Sequence, residues 1–201
     1  MPENLLTYQC LIISPGDVES ERLTVVATLD RWNASIGRAL DVRVEAVRWE
    51  THARPEMGAP PQDIVNQQIV DGSDFAIAVF GSKLGTPTMS FPSGSVEEVE
   101  RLVAADVQVM VYFSAGSHPN NVDVDQLQAL RRFQESLRPR GLYFEFANES
   151  ELRDHVTHHV TFLLSQLAKR DRYPDTSTFI EVRTRDPESP KVGQIWLRED
   201  L

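Results

Sequence analysis

Phe75-Ala76-Ile77-Ala78-Val79-Phe80 runs directly into Gly81-Ser82-Lys83-Leu84-Gly85-Thr86-Pro87-Thr88-Met89-Ser90-Phe91-Pro92-Ser93-Gly94-Ser95-Val96-Glu97-Glu98. The opening run is apolar throughout, the pattern of a parallel strand covered on both faces. The loop after it is rich in small and hydroxyl residues. It leads into a stretch in which Val96, Val99, Leu102 and Val103 recur at helical spacing. A strand, a small-residue loop and a helix in that order are half of a βαβ unit, and the loop leaves space for a ligand. Glu98 places a carboxylate in the first turn of the helix, beside that space. A carboxylate there can hold a ribose hydroxyl or steady a developing sugar cation. A nucleotide or nucleoside glycosidic bond is therefore the leading substrate class.

Outward from this stretch, strand and helix signals alternate. Tyr8 to Ile13, Val42 to Val47, Val107 to Phe113 and Leu142 to Phe146 read as further strands. Ser14-Pro15-Gly16-Asp17 predicts a helix start, with Ser14 as N-cap, Pro15 at the first helical position and an acid at the third. Val18, Val25, Leu29, Trp32 and Ile36 form its stripe, and Gly37 is its expected stop. Pro55, Gly58, Pro60 and Pro61 punctuate a loop before a helix around Gln62 to Val70, which Gly72 closes. Asp123 caps a helix carrying Leu127, Leu130 and Leu137. Asn148 or Ser150 starts the last helix, with Leu152, Val156, Val160, Leu163 and Leu167 in register. The expected fold is α/β: a doubly wound, five-stranded parallel sheet, flavodoxin-like, in the order 2-1-3-4-5 with right-handed crossovers. In that order ligands bind at the carboxyl ends of strands 1 and 3. The two loops of unusual chemistry, Ser14 to Asp17 and Gly81 to Ser95, follow those strands.

With 201 residues and 41% apolar content, the chain is long enough for one α/β core plus a tail. Residues 1–170 are expected to form that domain. Residues 171–201, polar and containing Pro174, Pro187 and Pro190, read as a tail or linker. There Phe179 to Val182 and Gln194 to Leu197 can pair as a short hairpin. The net charge of −10, without a basic cluster, argues against nucleic-acid and anionic-membrane partners. The single cysteine, Cys10, lies inside an apolar run and reads as a core thiol in a reducing compartment. No signal peptide or membrane-spanning run is apparent, so a cytoplasmic location is expected.

Several side chains carry open readings. Glu98 either complements the helix dipole or acts in the crevice. Glu97 reads as a solvated surface pair with Arg101 one turn later. Arg22 falls on the inward stripe of the first helix, where it snorkels, pairs with a buried acid or awaits an anion at the crevice. Trp49, at the end of the second strand, either stacks on a base or plugs the helix–sheet seam. Ser14, Gly16 and Gly81 are placed to offer backbone amides to phosphate. Neither G-x-G-x-x-G nor G-x-x-x-x-G-K-[ST] occurs, so dinucleotide redox chemistry and P-loop hydrolysis lose support. His155, His158 and His159 look like a metal cluster but lack a recognisable third-ligand pattern, and no metal is expected.

Leu11 to Val18, Glu21-Arg22, Arg48-Trp49-Glu50, Gly85-Thr86-Pro87-Thr88 and Ser93 to Glu98 together resemble a bacterial domain-of-unknown-function family related to Toll/interleukin-1 receptor (TIR) domains. Such domains often lie at the N-terminus of longer signalling or anti-phage proteins. The resemblance covers roughly residues 6–170. The loop is also similar to that of nucleoside 2-deoxyribosyltransferases, whose Gly-Thr-x-x-Glu motif supplies the catalytic glutamate. Carried onto Gly94-Ser95-Val96-Glu97-Glu98, that role falls on Glu98, with serine in place of threonine. Catalytic TIR domains also use a glutamate in the helix after the third strand to cleave NAD.

The resemblance implies a glycosidase that cleaves the nicotinamide–ribose bond, with NAD as substrate and no cofactor. Glu98 is its catalytic residue. Ser14, Pro15, Gly16, Asp17, Arg22, Trp49, Gly81, Gly85, Thr86, Ser93 and Ser95 are its substrate-binding set. Self-association and a sensor or effector protein are the implied partners. Many TIR-related modules act by assembly alone, which is the alternative function, and deoxyribosyl transfer through a covalent sugar–Glu98 intermediate is the third.

Overall fold

Phe75–Phe80 forms a strand, β3, whose residues are all buried. It lies at the centre of a parallel sheet with β1 (Leu6–Ile13), β2 (Val42–Val47), β4 (Gln108–Ser114) and β5 (Phe144–Phe146), in the order β2-β1-β3-β4-β5. This is the expected doubly wound, flavodoxin-like arrangement. On one side Cys10 to Ile13 pair with Phe75 to Ala78; on the other, Phe75 to Phe80 pair with Gln108 to Phe113. The computed structural model describes residues 5–48, 52–58, 61–116, 122–172, 181–183 and 196–198. The chain divides into two compact units, Met1–Thr161 and Phe162–Leu201.

Period-two alternation sorts the sheet's side chains onto two faces. Leu11, Ile13, Ala76, Ala78, Phe80, Val111 and Phe113 pack in one cluster with Val96, Val99 and Leu102 of α3 (Gly94–Ala104) and Leu130 and Phe133 of α4 (Val124–Leu137). Phe80 stacks on Phe113 and meets Phe133 edge-on, both at centroid distances of 5.4 Å. Tyr112, of opposite parity, reaches His159 of α5 (Glu149–Arg172). Trp32 of α1 (Glu19–Trp32) donates to Thr161 of α5 at 2.8 Å, so these two helices share the other face. Cys10 is fully buried there, and burial holds its thiol pKa well above the ordinary value. The core-thiol reading of the sequence therefore stands.

Several local expectations differ from the structure. The first helix begins at Glu19, and Val18 occupies the N-cap position without a side-chain cap. Ser14 to Asp17 remain a loop because Asp17 is drawn across to the loop after β3. The helical path does not stop at Gly37: a π-helical turn, Asn33–Gly37, extends α1. In α3, Val103 is half exposed and the buried stripe is Val96, Val99 and Leu102. In α5 the buried residues recur every fourth position, Leu152, Val156, Val160, Leu164 and Ala168, so Leu164 and Ala168 replace Leu163 and Leu167. β5 starts at Phe144, and Leu142 is 91% exposed. Asn148 resolves the last start signal, accepting from the backbone N–H groups of Ser150 and Glu151.

In the second unit, β6 (Glu181–Arg183) and β7 (Trp196–Arg198) pair in parallel rather than as an antiparallel hairpin. Among the described residues, no helix is long and apolar enough to cross a membrane.

Candidate functional site

The strand order reverses between β1 and β3, and loops diverging from their carboxyl ends open a crevice there. Its volume is about 720 Å³, within the range of small-molecule sites. Ser14, Pro15, Gly16 and Asp17 line it from the β1 side and Lys83, Gly85, Thr86 and Pro87 from the β3 side. Arg22 of α1, Gln62 and Val65 of α2 (Pro61–Gln68), and Gly94, Ser95 and Glu98 of α3 complete most of the wall. Asp123 and Gln126 border it at the start of α4.

The two loops are stitched together by one carboxylate. Asp17 Oδ2 accepts from the Ser82 backbone N–H (2.7 Å), the Ser82 hydroxyl (3.0 Å) and the Lys83 backbone N–H (3.0 Å). This close approach explains Gly81. A Cβ there would lie 2.5 Å from Val18 Cγ1 and 2.9 Å from Asp17 Oδ2. Gln126 Oε1 accepts the Leu84 and Gly85 backbone N–H groups at 3.0 and 3.1 Å. Gly85 takes φ +110°, a left-handed conformation that favours glycine, and presses against Ser93. Ser93 is buried and caps α3, its hydroxyl accepting from Val96 N–H at 3.1 Å. The β3–α3 loop is thus fixed at both ends and in its middle.

Glu98 projects into the crevice from the first turns of α3, with Gln62 Nε2 at 3.4 Å from its Oε1. Gln62 also donates to Asn66 Oδ1 (3.1 Å), and the buried Asn66 donates to Glu97 Oε1 (2.9 Å). The side-chain amides of Gln62 and Asn66 on α2 therefore set Glu98 and Glu97 of α3. Glu97 and Arg101, whose spacing suggested a surface pair, attract each other only at longer range, and each has a different direct partner. Arg101 instead grips Asp71 through two contacts of 2.7 and 2.8 Å, and Glu100 is gripped by Arg140 in the same bidentate way. A planar guanidinium prefers this fork to a loose pair along one helix. The Arg101 contact holds the Asp71 carboxyl below the usual range.

Two polar atoms of the β1–α1 loop stand out. Ser14 Oγ and Asp17 Oδ1 are buried and, among the described residues, have no hydrogen-bond partner. Such a group costs roughly 1–3 kcal/mol unless something pairs with it.

Of the residues expected from sequence, the crevice brings together Ser14, Pro15, Gly16, Asp17, Arg22, Gly85, Thr86, Ser95 and Glu98. Gly81 and Ser93 do not line it; they shape the loop from within. Trp49 lies outside the described residues. Sequence reasoning missed Gln62, Lys83 and Gln126 as lining residues. Lys83 sat inside the quoted loop and was legible as a cation. The two glutamines carried no spacing signal, since their roles depend on contacts across 36 and 42 residues of chain.

The histidines lie elsewhere. His159 Nδ1 meets the Tyr112 hydroxyl at 2.8 Å, and its ring packs on Phe144 and His155. Among the described residues, no group of three or more His, Cys, Asp or Glu side chains is placed to hold a metal ion.

A flavodoxin-like sheet with a polar crevice at its switch point defines the class of protein. The chain belongs to the family described as Domain of unknown function (DUF4062), whose model matches residues 14–161. No curated protein matches it. Among solved structures it is similar to the flavodoxin of Streptococcus pneumonia TIGR4, at 14% identity over 80% of this chain and 99% of that one, with a TM-score of 0.37. It is also similar to oxidised flavodoxin 1 of Bacillus cereus, at 13% identity over 78% of this chain and 97% of that one, with a TM-score of 0.35. The S. aureus homoserine dehydrogenase matches at 11% identity over 71% of this chain, with a TM-score of 0.34; the match spans 32% of that chain.

Proposed function

We propose that this protein is a TIR-like glycosidase that cleaves the nicotinamide–ribose bond of NAD. The observation that carries the reading is Glu98: a carboxylate at the start of α3, held by Gln62, facing a crevice of about 720 Å³ at the sheet's switch point. In the reaction the C1′–N bond breaks and its electron pair leaves with nicotinamide. The ribose becomes oxocarbenium-like, and the Glu98 carboxylate lies beside the developing positive charge. Water then adds to C1′ and loses a proton, leaving ADP-ribose. Fixed charge aimed at the transition state is the main source of acceleration in such a site. Arg22 and Lys83 line the same crevice and supply cations for the pyrophosphate. The Asp17 carboxylate is an acceptor and does not suit a phosphate, and Pro15 has no N–H, so on this loop the Gly16 backbone N–H is a donor that does.

The working context is bacterial signalling or anti-phage defence in the cytoplasm, with self-association and a sensor or effector protein as partners. A second reading, assembly without chemistry, draws on the sheet's β5 edge. There Leu142 and Phe144 are 91% and 41% exposed.

The test is to incubate the concentrated protein, with a crowding agent, with NAD and to follow nicotinamide release. Release by the wild type that falls by about 10²-fold or more in Glu98→Gln supports the glycosidase. Equal release by both removes Glu98 from the reaction. Silence in both, with concentration-dependent association, favours the assembly reading.

A further inference from the structure

The two oxygens of Asp17 have unlike surroundings. Oδ2 accepts three hydrogen bonds from Ser82 and Lys83 and ties the loops together. Oδ1 is buried without a hydrogen-bond partner among the described residues, and so is Ser14 Oγ on the same loop. Both residues line the crevice that Glu98 faces. Buried polar atoms in native proteins are nearly always paired, so two orphans in one cavity wall point to a ligand group. A carboxylate oxygen only accepts, whereas a serine hydroxyl accepts or donates. The group that fits must therefore bring a donor. A phosphate brings none and is repelled by the carboxylate. A sugar hydroxyl brings one.

We propose that Asp17 Oδ1 and Ser14 Oγ bind a ring hydroxyl of the substrate's ribose, so that the crevice selects ribosyl over deoxyribosyl ligands. The identity of the sugar rests on the glycosidase reading; the polarity of the contact does not. Gly16, between the two residues, is exposed, with nothing within 4 Å of where its Cβ would stand.

Asp17→Asn separates the two jobs of this side chain. Its amide oxygen can take over the three donors of the tether, which turns the amide nitrogen toward the place of Oδ1. An acceptor becomes a donor with little change of shape. The probes are ADP-ribose and ADP, which differ by the terminal ribose, titrated calorimetrically with the full chain. The wild type is expected to prefer ADP-ribose. In Asp17→Asn that preference falls about tenfold while ADP affinity and melting temperature are unchanged. Ser14→Ala lowers it in the same direction and leaves the tether untouched, so it carries the test if the Asp17 variant misfolds. An ADP-ribose analogue lacking the ring hydroxyls of the terminal ribose is expected to bind the wild type as weakly as ADP.

Undiminished preference in both variants overturns the contact and leaves the glycosidase reading standing. Nicotinamide release without any preference for ADP-ribose overturns it in the same way. Failure to bind either probe together with failure to release nicotinamide overturns both.

Discussion

The crevice between β1 and β3 and the histidine group on α5 each concentrate chemistry-bearing side chains, yet only one is arranged around empty space. His155, His158 and His159 lie on one helix, and His155 and His159 have partners among their neighbours. Tyr112 and Phe144 pack on His159, and Glu151 lies 3.6 Å from His155. In the crevice, Asp17 and Glu98 come from segments far apart in the chain. They face a common cavity, and polar atoms are left over. A cluster of titratable residues is thus a weaker sign of a site than convergence on a cavity with unspent hydrogen-bonding capacity.

The comparison breaks most directly on activity. Glu98→Gln should reduce nicotinamide release by about 10²-fold or more, whereas His155→Gln and His158→Gln should leave it unchanged. A histidine variant that silences the enzyme would move the chemistry to α5.

Gly81→Ala should destabilise the fold by roughly 1–3 kcal/mol in denaturant titration, because its Cβ would overlap Val18 and push on Asp17. ADP-ribose affinity should fall with it, since the same contact aligns both crevice loops. Next in size is Tyr112→Phe. It removes the partner of His159 Nδ1 and should cost about 1 kcal/mol without affecting the crevice.

The smallest effect is on pH dependence. Burial, followed by the charges of His155 and His158, holds the His159 pKa below its ordinary value. The unfolded chain therefore binds the proton more readily than the folded one. Stability is complete above the unfolded histidine pKa of about 6.5 and declines as the pH falls below it toward the lowered folded value. His159→Gln should flatten that slope in denaturation midpoints measured between neutral and mildly acidic pH. An unchanged slope would assign the acid sensitivity to other groups. Burial also raises the Tyr112 phenol, which is neutral across this range and hydrogen-bonded to His159.

Much of the fold was legible because its signals are local. An unbroken apolar run reads as a strand buried on both faces, and β3 has the predicted bounds. Asp123 and Asn148 announce helix starts through side chains that reach only two or three residues ahead. The placement of Glu98 at the head of α3 followed from the same periodicity. The Ser14-Pro15-Gly16-Asp17 signal misled because a stronger partner lay elsewhere. Asp17 has three donors across the crevice and does not cap its own helix. The pairing of Glu97 misled for a similar reason, since Asn66 and Asp71 stand beside α3 only after the chain has folded.

The sequence by itself determined which segments are strands and helices, their order in the sheet, and that a carboxylate opens the helix after β3. The segments and the carboxylate depend on periodicity and capping within a few residues, and the order follows from the alternation of strands and helices along the chain. Only the tertiary structure decided what each acid touches. Asp17 ties two loops separated by 65 residues, Glu98 faces the crevice beside Gln62, and Glu97 is anchored by Asn66. Hydrogen bonds act over about 3 Å. Which groups come within that distance is set by how the sheet and its helices pack, and no spacing along the chain encodes it.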